Sequence, residues 1–228
     1  MSPFSAILQV LFPTTCACCG EVLVRGERQV CLNCLANMSA TSFSAIGDNP
    51  VERRLLGRIP LVNATSIYYF QKTGAVRNVV HAMKFYGNAE LCLMMGRQMG
   101  LSLLSSGRFD DVELLVPVPL HWLRRFRRGY NQSELLCKGI AEVMHMPVCS
   151  GAVVRHRYTH QQSLQSGRHR EKNVEGAFKV KKADKLVGKH ILLVDDVLTT
   201  GATIAACADV IAAVPGVRIS VATFCTAQ

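Results

Sequence analysis

Nothing in this 228-residue chain approaches the length of apolar sequence needed to span a bilayer. The first twelve residues, Met1 to Phe12, are mildly apolar but contain no Lys or Arg, so they lack the basic region of a secretory signal. Thr15 is not the usual small residue of a lipoprotein start at Cys16. These absences predict a cytoplasmic protein with no membrane partner. That compartment argues against a disulfide framework for its ten cysteines. Acidic residues are scarce. Sixteen Asp and Glu stand against 26 Lys and Arg, a net charge of +10. Such an excess suits nucleic acid or a ligand with several phosphates, and equally a basic solvated surface. No internal repeat is visible. With 49% hydrophobic and 18% charged residues, the chain reads as a well-buried globular protein. Its length accommodates one ordinary α/β domain plus a small appendage.

The chemistry-bearing residues are concentrated. Ile191-Leu192-Leu193-Val194 predicts a buried strand of a parallel sheet. Asp195 and Asp196 follow where that strand should end. Thr199, Thr200, Gly201, Ala202 and Thr203 then form a hydroxyl-and-glycine loop, and a helix is expected from Ala202 to Val214. A helix N-terminus at a sheet edge offers free N–H groups to a phosphate. Gly201, without a Cβ, permits close approach. Ionised carboxylates are acceptors only, which suits sugar hydroxyls rather than phosphate. A sugar diol next to a 5′-phosphate satisfies both halves. The plainer alternative is an acidic turn followed by a helix cap.

A second constellation runs from Val116 to Gln132. Pro117 and Pro119 stiffen the exit of a strand. Arg124, Arg125, Arg127 and Arg128 supply guanidinium forks that match phosphate oxygens. Gly129 precedes a helix starting near Asn131. Trp122, Phe126 and Tyr130 fall at four-residue spacing, which predicts a helix face packed into the core. Their interleaving with arginine is also the pattern of a single-strand nucleic-acid platform. The arginines are therefore divided between a pyrophosphate and a second partner. A third segment, Arg155 to Phe178, is basic and lacks periodicity. It is read as a lid over the ligand or as a surface insertion.

Cys16-Ala17-Cys18-Cys19 and Cys31-Leu32-Asn33-Cys34 form two Cys-x-x-Cys knuckles. Cys16, Cys19, Cys31 and Cys34 are the tetrahedral thiolate set that zinc prefers, with Cys18 an extra. The rival is a redox-active pair, which normally opens a helix after a strand, a context missing here. Metal would stabilise a segment too small to fold alone.

Between these sites the pattern predicts strands at Ala64–Phe70, Leu114–Val118, Val148–Val154 and Val217–Cys225. Helices are predicted at Val76–Phe85, Ala89–Leu104 and Gln132–Met144. Alternation of this kind implies a parallel sheet with helices on both faces. The expected division is a zinc ribbon at 1–40, a linker at 41–60 with one helical turn near Val51 to Leu56, and the α/β domain at 61–228.

Asp195 to Thr203 resembles the signature of type I phosphoribosyltransferases, which bind 5-phosphoribosyl-1-pyrophosphate (PRPP). The double knuckle, His81-Ala82-Met83-Lys84-Phe85-Tyr86-Gly87, Pro117 to Gln132, Arg155 to Phe178 and the Asp195 motif stand in the order of the ComF/GntX family. The likeness covers nearly the whole chain. The resemblance implies a type I phosphoribosyltransferase fold with an N-terminal zinc ribbon. It also implies PRPP binding with Mg²⁺, with transfer of the phosphoribosyl group to a nitrogen acceptor if the protein is catalytic, in a setting of natural competence and DNA utilisation. Asp195 and Asp196 would hold the ribose hydroxyls and Thr199 to Thr203 the 5′-phosphate. Arg124, Arg125, Arg127 or Arg128, together with Arg168, would stabilise departing pyrophosphate, with Arg124 and Arg128 the PRPP contacts chosen and Lys84 and Tyr86 near the site. No residue stands out as a general base. The alternative is a single-stranded DNA handling factor for which PRPP is only a regulator, or which performs no catalysis. A third is a scaffold whose knuckles dock a helicase or another competence protein.

Overall fold

The computed structural model describes residues 13–85, 87–156 and 176–227. In chain order its elements are α1 (Leu32–Ala36), α2 (Pro50–Leu55), β1 (Leu61–Phe70), α3 (Ala75–Phe85), α4 (Ala89–Ser106), β2 (Leu114–Pro117), α5 (Trp122–Arg128), α6 (Gln132–Met144), β3 (Val153–Arg155), β4 (Phe178–Val180), β5 (His190–Leu198), α7 (Ala202–Ala212) and β6 (Arg218–Ala227). Four strands form a parallel sheet in the order β1-β6-β5-β2, and β3 and β4 make a separate antiparallel pair.

Ile191 to Val194 are fully buried, as a parallel strand covered on both faces requires. Alternate side chains enter opposite cores. Leu192 and Val194 pack with Met83, Leu91, Leu136 and Ile140 from α3, α4 and α6. Ile191 and Leu193 pack with Val51, Leu55, Ile204 and Ile211 from α2 and α7. Helices α4 and α6 meet backbone to backbone. A Cβ on Gly139 would lie 2.3 Å from the Leu93 carbonyl oxygen, and one on Gly96 would lie 2.4 Å from that of Leu136. Only glycine fits there.

The expected helix at Gln132–Met144 is present with those bounds. Three expectations change. The strand predicted to stop before the carboxylates runs through both to Leu198, because β6 supplies partners along it: Asp195 faces Thr223, Val197 faces Cys225 and Leu198 faces Thr226. The strand expected over Val148–Val154 shrinks to β3, and Val148 makes one isolated bridge to Leu115. Residues 41–60, expected as a linker, fold onto the sheet. Asn49 caps α2 by accepting from the N–H groups of Val51 and Glu52, and it donates to the Ala64 carbonyl at 2.8 Å. Glu52 pairs with Arg108 at 2.6 Å, and Val51 and Leu55 are fully buried. The polar residues read as linker composition are spent on caps and turns around two apolar anchors. Among the described residues no helix is long and apolar enough to cross a membrane.

Candidate ligand pocket and metal centre

Strand β2 ends at Pro117 opposite Val194 of β5, which runs on, and a cavity of about 190 Å³ opens at this carboxyl edge of the sheet. Asp195 and Asp196 line it, and each is engaged differently. Asp195 Oδ1 accepts from the Ser133 hydroxyl at 2.9 Å and from the Asp196 N–H at 2.9 Å. Asp196 Oδ2 lies 3.0 Å from Lys84 Nζ. Ser133 stands in the first turn of α6, whose cap Asn131 also donates to the Val118 carbonyl at 3.0 Å. Lys84 stands in the last turn of α3. The Tyr130 hydroxyl and Gln132 Nε2 both donate to the Met83 carbonyl, at 2.8 and 3.0 Å. The segments that deliver Lys84 and Ser133 are thereby tied together. Burial, and then repulsion from Asp196, push the Asp195 carboxyl up to about 7 against the opposing hydrogen bonds and Lys84.

Arg124, Arg128 and Arg155 share the cavity with Lys84. Burial holds Arg128 below the usual guanidinium range, with Arg124 adding to the effect and Asp196 opposing it. Burial and then Arg124 do the same to Arg155, with Asp195 opposing. These cations crowd one another, so a polyanion entering between them relieves strain. Each half-buried guanidinium also lies over a ring: Arg128 is 5.6 Å from the Phe85 centroid, and Arg155 is 5.4 Å from that of Phe178.

The neighbouring arginines turn away. Arg125 pairs with Glu134 at 3.4 Å, and Arg127 is exposed. The aromatic face expected in the core is mostly outside it. Trp122 is 65% and Phe126 85% exposed, and only Tyr130 is half-buried. Helix α5 is a single short element with no buried residue, held by caps at both ends. His121 Nδ1 accepts from the Leu123 N–H at 3.3 Å, and Gly129 closes the helix in a left-handed conformation. Burial, then Arg155 and Arg124, push the His121 pKa down, which keeps the ring neutral as that acceptor role requires.

Thr199 and Thr203 line the cavity, with Thr200, Gly201 and Ala202 forming the turn between them. The Ala202 N–H donates to Thr200 Oγ1 at 3.4 Å. Gly201 is the N-cap of α7, at φ +80°. Its missing Cβ would meet Leu55 Cδ2 at 3.0 Å and Arg58 Nη1 at 3.4 Å. The glycine is therefore required by its backbone conformation and by the contact with α2, where close approach of a ligand was expected. Tyr86 and Arg168 lie outside the described residues. Sequence reasoning missed Ser133 and placed Arg155 at the start of the expected lid, most of which, residues 157–175, lies outside the described residues. Asn131-Gln132-Ser133 before an apolar periodic run is a helix-start signal that placed α6 but gave no hint that its first turn touches Asp195.

At the other end of α3, the sulfur atoms of Cys16, Cys19, Cys31 and Cys34 all lie within 4.8 Å of one another. Cys19 Sγ and Cys31 Sγ are 3.8 Å apart, about the edge of a tetrahedron with zinc–sulfur bonds near ~2.3 Å. Backbone N–H groups of Cys18 and Cys31 point at Cys16 Sγ, at 3.4 and 3.3 Å. Burial raises the Cys16 thiol, but hydrogen bonds from Cys31, Cys19 and Cys18 outweigh it and bring it down to about 6. A thiolate set of this shape could hold a structural zinc ion. Cys18 is outside the set; burial pushes its thiol up to about 12, and it faces the Ala75 carbonyl. The knuckles pack on the domain directly: Asn78 Nδ2 donates to the Cys18 carbonyl at 2.8 Å, and Asn88 Nδ2 to Gln29 Oε1 at 2.7 Å.

A family model described as phosphoribosyl transferase domain matches residues 132–228. The DNA utilization protein YhgH of Escherichia coli (strain K12) is 37% identical over 130 residues, 56% of this chain and 56% of that protein. Competence protein F of Haemophilus influenzae is 29% identical over 130 residues, 55% of this chain and 57% of that protein. Competence protein ComFC of Bacillus subtilis (strain 168) is 28% identical over 129 residues, 57% of this chain and 50% of that protein. Each alignment thus spans about half of its relative's length. Among solved structures, glutamine PRPP amidotransferase from B. subtilis, complexed with ADP and GMP, aligns at 16% identity and a TM-score of 0.43. That alignment covers 64% of this chain and 30% of that one.

Proposed function

Since the chain belongs to the ComF/GntX family, a type I phosphoribosyltransferase fold with an N-terminal zinc ribbon, we propose that it binds PRPP with Mg²⁺ at the carboxyl edge of its sheet. The observation that carries this reading is one cavity that holds two adjacent carboxylates, four cationic side chains and the threonine loop at the start of α7. Asp195 and Asp196 accept the ribose hydroxyls. The loop from Thr199 to Thr203 receives the 5′-phosphate. Arg124, Arg128 and Lys84 meet the pyrophosphate, with Tyr86 and Arg168 kept as contributors on the strength of the resemblance. Asp195 and Asp196 are the oxygen donors beside which Mg²⁺, a hard cation, would enter with the ligand, and it would supply charge neutralisation for the phosphate oxygens. In this reading the ribbon spans 1–40 and the ligand domain 61–228, with 41–60 folded onto the latter.

Transfer, where it occurs, breaks the bond from C1 to the pyrophosphate oxygen, and its electron pair leaves on pyrophosphate. A nitrogen lone pair forms the new bond to C1, and the nitrogen proton passes to solvent. The chain's part is to orient the sugar and hold cations where the leaving group gains charge. Calorimetry with PRPP and Mg²⁺, followed by a screen for pyrophosphate release with nitrogen acceptors, tests the reading. No heat of binding at millimolar PRPP would end it.

A second reading has its own support. Trp122 and Phe126 are exposed among arginines that face away from the pocket, the arrangement of a stacking platform for single-stranded DNA. The names of the relatives concern DNA utilization and competence. This reading expects single-strand affinity to fall steeply with salt, by roughly one power per phosphate contact. Salt-independent binding would remove it.

A further inference from the structure

The segment expected to be a mere linker reaches the anion loop. Arg54 Nη1 donates to the Thr199 carbonyl at 2.9 Å, and Arg58 Nη1 donates to the Thr200 carbonyl at 2.6 Å. Arg54 Nη1 also reaches Thr226 Oγ1 at 3.1 Å and the Ala227 carbonyl at 2.8 Å, so it ties the loop to the end of β6. Buried Leu55, between the two arginines, fills the place that a Cβ on Gly201 would need. Helix α2, which carries Arg54 and Leu55 and leads into the turn with Arg58, is fixed to the sheet by Asn49 and by the Glu52–Arg108 pair.

These contacts fix more than the loop's position. A trans peptide points its carbonyl and its N–H to opposite sides, and no described peptide is cis. With the Thr199 and Thr200 carbonyls turned onto the arginines, the N–H groups of Thr200 and Gly201 point the other way. Those are the two donors just before the start of α7, between the cavity-lining Thr199 and Thr203.

We propose that Arg54 and Arg58 are positioning residues for this loop: they orient its N–H groups toward the 5′-phosphate of the ligand and so set affinity for that phosphate without touching it. The inference rests on the PRPP reading above and adds a determinant for one end of that ligand. The pyrophosphate end, served by the arginines after β2, does not depend on it.

The test is calorimetry of the full chain with two probes, ribose 5-phosphate and inorganic pyrophosphate, each with Mg²⁺. Wild type, Arg58→Ala, Arg58→Lys and Arg54→Ala are compared, with ligand-free thermal melts alongside. Arg58→Ala should weaken ribose 5-phosphate about tenfold, the size of one charge-assisted hydrogen bond. Pyrophosphate affinity should stay within about twofold and Tm within about 2 °C, as for a surface change. Arg58→Lys should recover part of the loss. Equal weakening of both probes, a loss that tracks a fall in Tm, or unchanged ribose 5-phosphate affinity would each overturn the positioning role. A wild-type chain that binds neither probe would instead sink the pocket reading, and this inference with it.

Discussion

Strand β5 begins and ends in polar clusters of opposite character. At its start, His190 Nε2 lies 2.9 Å from the Ser220 hydroxyl. Its Nδ1 is 3.1 Å from Asp111 Oδ2, in contact but not aligned as a hydrogen bond. Arg218 holds the same Asp111 oxygen at 2.9 Å. Glu113 pairs with Lys189 at 2.6 Å and accepts the His190 N–H at 2.9 Å. Asp111 and Glu113 are matched there by Lys189 and Arg218. At the other end Asp195 and Asp196 face Lys84, Arg124, Arg128 and Arg155, so positive charge is in excess around a cavity. The first cluster pairs its acids with cations of its own and leaves only His190 Nδ1 without an aligned hydrogen bond. The second carries an excess of positive charge that an anion would balance. In one strand, closure of charge marks structure and its imbalance marks recognition.

That contrast can be broken from either end. The largest expected effect is at the carboxyl edge. Asp195→Asn with Asp196→Asn should weaken PRPP by about 100-fold or more, since two charged acceptors for the diol are lost. Its melting temperature should move by only a few degrees, because relief of the Asp195–Asp196 repulsion offsets loss of the Lys84–Asp196 pair. A drop in Tm matching the lost affinity would mean that the acids hold the fold. At the amino edge the opposite split is expected. His190→Ala strips a partner from Ser220 and leaves a void, so Tm should fall by roughly 5–10 °C with PRPP affinity unchanged.

Acidity sharpens the same distinction. Asp195 titrates near 7 in the folded chain and near ~4 when unfolded. Between these values the native state binds the extra proton, so stability from this group falls as pH rises from about 4 through about 7. The Tm of Asp195→Asn minus that of wild type should therefore grow by a few degrees from pH 5 to pH 8. A flat difference would show that burial does not govern this carboxyl. The smallest effect on stability is expected from Trp122→Ala with Phe126→Ala, about 1 °C or less. The same pair should cost about tenfold or more in single-stranded DNA affinity if the platform reading holds.

Much of this arrangement is legible in local sequence. Cys16 to Cys34 and Asp195 to Thr203 each bring their chemistry within one short segment, and spacing alone suggests what they can hold. Ser133, Arg155, Arg54 and Arg58 are ordinary polar residues far along the chain from the acids, and only the sheet's crossover order brings them together. Trp122 and Phe126 mislead for a different reason. Four-residue spacing on a seven-residue helix satisfies the core pattern, yet capping by His121 and Gly129 lets α5 stand without burying that face. β5 also outruns its apolar run, because pairing with β6 and not hydrophobicity decides where it stops.

Gly96 and Gly139 give α4 and α6 one shared spine. One helix starts at Asn88, bonded to Gln29 between the cysteine knuckles, and the other starts beside Ser133, bonded to Asp195. Neither can slide along its neighbour without atoms overlapping. A methyl group introduced at this crossing would therefore be felt at both far ends, as a shifted thiolate cage and as an altered acidity in the carboxylate pocket.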